Sequence, residues 1–454
     1  MIRSVWIKPF FNRLIRILAG IFFTGWNMAC AQQPSPMPGV RKLSLAEAIT
    51  LGKTDNNLVK AAGQEEEASR ADLDDARMNA LPAITASSGY QRFTKLTLFE
   101  SGLGGAHSVP KRPSQYGADA GLSASFNLYS GGKQRALAAE QRHKKDLAGV
   151  NTQEQSAAAG LQVAAQYLDI VRLNDQRHFI LEQVVRAEAR LKNISSLFRN
   201  QKVTRSDLLR AELNLSAVKL NLEQTENDIV ISNQKLNVLI NIPDTVKVEP
   251  ADSSGTAMPG PEELNDLLGQ TTGNAFSIRK TEENLLILGD RLKGIRSNSL
   301  PSVSLLSAYS INYPNTIFYP PVDQAYAIGF VGVRVQYNIS SVYQNKNKAA
   351  AARIRVRQLR FQQQNITDNV RQEAAALLIK YREALNRISV TERSIEQALV
   401  NYRIVNAKYL NQLALLTDLL DADNLYQETR YNLVQARINA KLIYYRMLYT
   451  AGKL

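Results

Sequence analysis

Four aspartates gather where the chain twice interrupts a long helical pattern. Asp207 follows Asn200-Gln201, and Asp418, Asp421 and Asp423 follow Asn411-Gln412. Asp418 and Asp421 are three residues apart, which puts them on adjacent parts of one helix face. Repeated around the axis of an oligomer, such carboxylates would form rings, favouring cations and repelling anions. Asp207 and Asp418 read equally well as acids at helix starts, held by the positive end of the helix dipole. Asp421 lies further into its helix, so the ring reading is favoured there. Tyr409 just before the second interruption and Leu413, Leu415 and Leu416 just after it supply apolar material for closing such an end. Other chemistry is scarce. His107, His143 and His178 are widely separated and form no metal-ligand spacing, and no nucleophile–base pair, phosphate loop or metal cluster is readable. The expectation is a protein with no cofactor and no enzymatic reaction, and nothing in it points to nucleic acid.

The elements that position these residues are long helices. From Ser341 to Ala451 there is neither glycine nor proline, the two strongest helix breakers. Ala374, Tyr381, Ile388, Ile395, Tyr402 and Tyr409 recur every seventh residue, and Val370, Leu377, Ala384, Ala398 and Val405 fill a neighbouring row. This is a coiled-coil seam. Asn411-Gln412 is its one interruption, with Asn411 suited to a left-handed turn. The pattern predicts helices over 341–410 and 413–451, the first about 100 Å long at 1.5 Å per residue.

The chain has 454 residues and a formal charge of +14. Arg3, Lys8, Arg13 and Arg16 precede the apolar run Ile17–Phe23, and Ala29-Cys30-Ala31 fits a small-x-small cleavage site. Residues 1–31 therefore read as an export signal, with the remainder carrying +14 − 4 = +10. Lipidation of Cys30 is the less favoured alternative, because Asn27 stands where a lipobox wants an aliphatic residue. No later segment approaches the apolar run that a membrane helix needs. A closed β-barrel needs far less hydrophobicity per segment.

The chain repeats once. Arg77–Ile84 aligns with Arg296–Val303, Phe126-Asn-Leu128 with Tyr337-Asn-Ile339, and Phe198–Gln201 followed by Asp207 with Tyr409–Gln412 followed by Asp418. The expected division is a first repeat over 32–243, a linker rich in proline, glycine and serine over 244–261, and a second repeat over 262–454. Each repeat holds helices and a strand pair, near 82–95 and 115–129 and near 301–313 and 325–339. Tyr116–Leu128 alternates strictly, with Tyr116, Ala118, Ala120, Leu122, Ala124, Phe126 and Leu128 on one face. Its length suits a tilted membrane strand. The last strand is expected to change faces near Phe330-Val331, at a bulge. Four strands cannot close a barrel. Either several copies share one, three of them giving twelve strands, or the strands are not transmembrane.

With the halves set out in this way the chain resembles the TolC-type outer-membrane efflux proteins over essentially its whole mature length. Phe126-Asn-Leu-Tyr-Ser-Gly-Gly-Lys-Gln-Arg135 is similar to the family's strand-exit motif, with Gly131 and Gly132 as the paired glycines. Tyr409 with Leu416–Tyr426 resembles its periplasmic-tip segment, and Leu81-Pro82 and Leu300-Pro301 open strands as expected. The resemblance implies a mainly α fold with β: duplicated long-helix coiled-coil hairpins and four transmembrane strands, assembled as a homotrimeric α-barrel under a shared 12-stranded β-barrel. It also implies a place in the outer membrane of a Gram-negative bacterium, extending into the periplasm. The implied function is passive exit in a tripartite efflux or secretion system, for cargo from an inner-membrane pump of RND or ABC type through a periplasmic adaptor (membrane fusion) protein. A periplasmic adaptor or a structural coiled-coil protein is the alternative. Lys133, Arg135, Lys346, Lys348 and Arg353 follow the strands and read as a basic collar for anionic outer-membrane lipid, or as a solvated helix face. Three features depart from the family. Gln201 and Gln412 stand where glycine is usual, Ala414 stands where the prototype has an arginine that locks the closed tip, and the second strand exit, Ile339–Gln344, lacks glycine.

Overall fold

The computed structural model describes residues 39–454, apart from 95–96, 100–101, 109–113, 256–257, 261–263, 265–270, 316 and 318–322. The export signal, Cys30, and parts of the outer loops and of the inter-repeat segment therefore lie outside the described residues. In chain order the elements are β1 (Val40–Leu43), α1 (Leu45–Asp55), α2 (Asn57–Met78), β2 (Ala83–Arg92), β3 (Thr97–Phe99), β4 (Ala106–Ser108), β5 (Tyr116–Tyr129), α3 (Lys133–Arg199) and α4 (Arg205–Leu239). They continue with β6 (Lys247–Pro250), α5 (Thr271–Asn274), α6 (Phe276–Ser297), β7 (Ser302–Tyr313), β8 (Tyr326–Gln336), α7 (Ser341–Leu410) and α8 (Leu416–Thr450).

The two long hairpins are near copies. α4 and α8 are each 35 residues long, and the second begins and ends 211 positions after the first (205 to 416, 239 to 450). The helices entering each tip, α3 and α7, have 67 and 70 residues, about 100 Å at 1.5 Å per residue. Both end in the same cap. Gln201 and Gln412 take the left-handed conformation, with φ 58° and 61°. Lys202 N–H then donates to Leu197 O at 2.9 Å, and Leu413 N–H to Lys408 O at 2.8 Å. These are Schellman closures, which satisfy carbonyls the helix leaves open. The expectation that asparagine would take the left-handed position needs correction. Asn200 and Asn411 are the right-handed caps before it, with φ −91°. Because the left-handed residue follows the cap, it falls on glutamine. The same closure ends α4 at Asn241 (φ 53°) and α8 at Gly452 (φ 66°).

The seam rows of α7 pack as their spacing requires. Val370, Ala374, Leu377, Tyr381, Ala384 and Ala398 are buried, and Ile388, Ile395, Tyr402, Val405 and Tyr409 are half-buried. At mid-height β1 and β6 form a parallel pair. Their core contains Ile49, Val163, Tyr167, Leu236 and Val248. The Tyr167 hydroxyl lies 2.8 Å from Leu43 O and 3.0 Å from an Asp252 carboxylate oxygen, tying the start of the first repeat and the stretch that follows it to α3. Part of the proline- and glycine-rich stretch is thus a structural strand.

β2, β5, β7 and β8 form one antiparallel sheet in that order. The register brings Ile84, Tyr90, Leu122, Leu305, Tyr309, Ile311, Val331, Val333 and Val335 to one face, where all are exposed. Thr85, Ser87, Asp119, Ser123, Ser304, Asn312 and Arg334 take the other. The expected bulge in β8 is absent. β7 and β8 stay in register from Ser302 opposite Gln336 to Asn312 opposite Tyr326, so Phe330 and Ile328 lie on the polar face. The irregularity lies instead in β5 between Asn127 and Tyr129, where the strand prepares to leave the sheet. No described helix is long and apolar enough to cross a membrane.

Gly131 and Gly132 make the first strand exit, with φ 63° and 82°. A Cβ on Gly131 would meet Leu300 Cβ at 2.7 Å and Ser297 O at 2.9 Å, so both backbone and space require glycine. The second exit uses another turn. Ser340 is right-handed, with φ −66°, and Ser341 N–H donates to Asn338 O at 3.0 Å, so no glycine is needed.

Candidate functional site

The hairpin tips bring the four aspartates into different environments. Asp207 closes a reciprocal cap: its own N–H donates to Thr204 Oγ1 at 3.2 Å, and its carboxylate accepts from Thr204 N–H at 3.1 Å and Thr204 Oγ1–H at 2.7 Å. Asp418 makes half of that cap, accepting from Leu415 N–H at 3.1 Å, because leucine has no side-chain acceptor to return the bond. Both are thus helix-start acids. Asp418 nevertheless remains exposed, as does Asp421 one turn on.

Asp423 is a correction to the aperture set. It is 2 % exposed and lies between α3 and α8, where Oδ2 accepts from Arg190 Nη2 at 2.8 Å and Oδ1 from Arg186 Nε at 3.3 Å. Two residues beyond Asp421, helical rotation turns it from the exposed face to the packed one. Higher in the same interface Arg430 Nη1 donates to Glu182 at 2.5 Å, and its guanidinium lies 3.8 Å from the Phe179 ring centre. The Arg430 hydrogen bond, opposed by desolvation, holds the Glu182 carboxyl below its ordinary range. Sequence spacing around Asp423 carried no sign of this pairing, since Arg186 and Arg190 are over 200 residues away. Two arginines four apart on an otherwise apolar seam were the only available signal.

Tyr409 also turns inward. Its ring packs with Ile194, Ala211 and Leu416, and burial, followed by the charge of Asp207, pushes its hydroxyl pKa up. Of the three leucines assigned to apolar closure, Leu416 is buried in this cluster, whereas Leu413 and Leu415 are 76 % and 70 % exposed and lie outside it. They sit in the loop between the Schellman closure and α8, beyond the reach of the seam. Lys133, Arg135, Lys346, Lys348 and Arg353 are all exposed near the strand exits.

His143 did not stand out by spacing, yet it has acidic neighbours. Donor atoms of His143, Asp146 and Glu283 lie within 4.8 Å of one another, because α3 packs against α6 across 140 positions of sequence.

The open edges of the chain coincide at every level. The sheet ends in β2 on one side and β8 on the other. Below it the helices run α2, α3, α6, α7, and around the hairpins α4, α3, α8, α7. The first repeat thus presents β2, α2 and α4 along one edge, and the second presents β8 and α7 along the other. Both helical edges expose apolar side chains: Leu209, Leu213 and Leu220 on α4, and Phe361, Ile379 and Val400 on α7.

Comparison with known proteins agrees with this arrangement. The family described as outer membrane efflux protein matches residues 53–241. No curated protein matches the chain in sequence. Among solved structures it is similar to the outer membrane protein VceC of Vibrio cholerae, with TM-score 0.75, 14 % identity, and coverage of 90 % of this chain and 96 % of that one. It is also similar to the CmeC outer membrane channel of Campylobacter jejuni (0.72, 16 %, 90 % and 85 %) and to the MtrE outer membrane channel of Neisseria gonorrhoeae in its open state (0.68, 16 %, 90 % and 88 %). The outer membrane efflux protein family thus matches within the first repeat, over less than half of the chain, and the fold of these outer membrane proteins is shared along nine-tenths of it.

Proposed function

We propose that three copies join edge to edge, β8 and α7 of one against β2 and α4 of the next, to form a continuous conduit from periplasm to exterior. The carrying observation is the coincidence of open edges in sheet and helices. A four-stranded sheet with unpaired rims, apolar on one face and polar on the other, closes as a membrane barrel only by sharing strands, and three copies bring twelve. The match to outer membrane efflux proteins supports reading this conduit as the exit duct of a tripartite system, fed by an inner-membrane pump of RND or ABC type through a periplasmic adaptor. The duct conducts passively and performs no reaction. Its periplasmic mouth is ringed by Asp418 and Asp421, which bias it toward cations, while the buried Asp423–arginine pairs hold the two hairpins together behind it. Leu413 and Leu415 at the tip meet neighbouring copies or the adaptor.

The collar reading has physical support at its first pair. Lys133 and Arg135 stand in the first turn of α3, which has no acidic residue, against the positive end of the dipole. Cations placed there gain most from an external anion such as a lipid headgroup. The signal is proposed to be cleaved before Gln32. Cysteine pairs across the edges test the assembly: Ala86→Cys combined with a cysteine at Val331 or Val333 should give covalent trimers in detergent-extracted outer membranes. A ladder that stops at dimer, or a monomer with intact strand content, refutes it.

A further inference from the structure

We propose that His143, Asp146 and Glu283 form a binding site for a first-row divalent cation of the zinc class, joining the two repeats below the β-barrel. The residues come from two elements. His143 and Asp146 are three apart on α3 and share a face, and Glu283 reaches them from α6. One donor atom from each lies within 4.8 Å of the others. A histidine nitrogen with two carboxylate oxygens is a ligand set suited to zinc, with a position left for water.

The imidazole itself calls for a cation. Its Nδ1 lies 2.9 Å from Glu283 Oε2, and its Nε2 lies 3.7 Å from Asp290 Oδ2. A neutral ring has one N–H and carboxylates only accept, so with the proton on Nε2, on the side of Asp290, the Nδ1 lone pair lies against Glu283 Oε2 at 2.9 Å. A metal held between Nδ1 and Glu283 removes that conflict. This is the carboxylate–histidine–metal arrangement, in which the outer carboxylate orients the ring. Asp290 suits that positioning role, being 5 % exposed and held by Lys293 Nζ at 2.7 Å. The remaining charges agree. Three carboxylates face two ammonium groups, Lys145 at 3.4 Å from Asp146 and Lys293, so the cluster still attracts positive charge. His143 and Glu283 are about a quarter exposed, which gives an ion a path from solvent.

The test uses the full-length, detergent-solubilised protein, treated with chelator, dialysed and titrated calorimetrically with Zn²⁺ near neutral pH. One saturable Zn²⁺ per chain is expected, with a rise in the thermal midpoint. His143→Ala and Glu283→Gln should each weaken binding about tenfold or more. The titrations are run in the Asp418→Asn, Asp421→Asn background, so that the mouth carboxylates do not contribute, and Asp368→Asn, at an exposed pair on α7, should leave binding unchanged. If His143→Ala fails to assemble, Glu283→Gln and Asp146→Asn carry the test. Unsaturable binding overturns the proposal, as does binding that survives both His143→Ala and Glu283→Gln. So does a protein stabilised by acid through the histidine range but indifferent to zinc, for then the ring takes a proton and not a metal.

Discussion

Replacing Asp423 by asparagine tests how the two hairpins are joined at the tip. The substitution keeps the shape and removes the charge that accepts from Arg190 at 2.8 Å and Arg186 at 3.3 Å. The side chains of Asp423 and Arg190 are 3 % and 7 % exposed, so the arginine cannot recover its hydration without opening the interface. Removing one partner of a buried pair costs about 3–5 kcal/mol. Arg186 is 24 % exposed and lies 3.9 Å from Glu182, which places the expectation at the lower end, about 3 kcal/mol. That corresponds to roughly two decades in an opening equilibrium. Hydrogen exchange read by mass spectrometry is the suitable assay, because it reports local opening where global unfolding of an assembly is not two-state. Peptides from the lower part of α3 and the start of α8 should exchange about a hundredfold faster, while β5 and β7 are unchanged. Asp423→Leu combined with Arg190→Met removes the central pair together and should recover most of the protection. A change below about threefold in Asp423→Asn would refute the reasoning, since the bridge would then be a surface pair in effect.

Other consequences concern the rest of the tip. Asp418→Asn with Asp421→Asn should reduce cation selectivity and block by multivalent cations in planar bilayers without changing trimer yield; unchanged selectivity would leave these residues as helix-start acids alone. Gln201→Gly and Gln412→Gly should each stabilise their hairpin by about 0.5–1 kcal/mol, because a side chain at positive φ is strained and the gain is partly offset by a freer unfolded chain. Slower exchange at the tips would show it, and no gain over alanine at the same positions would disprove it. Glu182 has its carboxyl pKa lowered from 4.5 by Arg430, so its contribution is complete above about pH 4.5 and is lost as pH falls through the lower folded value. Glu182→Gln should therefore flatten acid destabilisation of the α3–α8 interface in a pH series; a parent-like slope would assign that destabilisation elsewhere.

Much of this architecture is written locally. The heptad rows of α7, the freedom from glycine and proline over 341–451, and the strict alternation of Tyr116–Leu128 are one-dimensional patterns, because helix and strand periods are properties of the backbone. The duplication repeats the helix–reversal–helix order in the first half, although Gly149 and Gly160 interrupt the run there. What the sequence could not decide is where residues from distant turns meet. Asp421 and Asp423 differ by two positions, yet one is exposed and the other is buried against arginines of another repeat, because only packing defines which face of a helix is covered. The register of β7 on β8, which sends Phe330 to the polar face, is likewise a pairing decision. His143 and Glu283 are 140 residues apart and become neighbours only because α6 lies along α3. Local chemistry wrote the helices, strands and reversals, whereas the contacts of Asp423 with Arg186 and Arg190 and of His143 with Glu283 depend on separations of 140 residues or more, which no short-range pattern encodes.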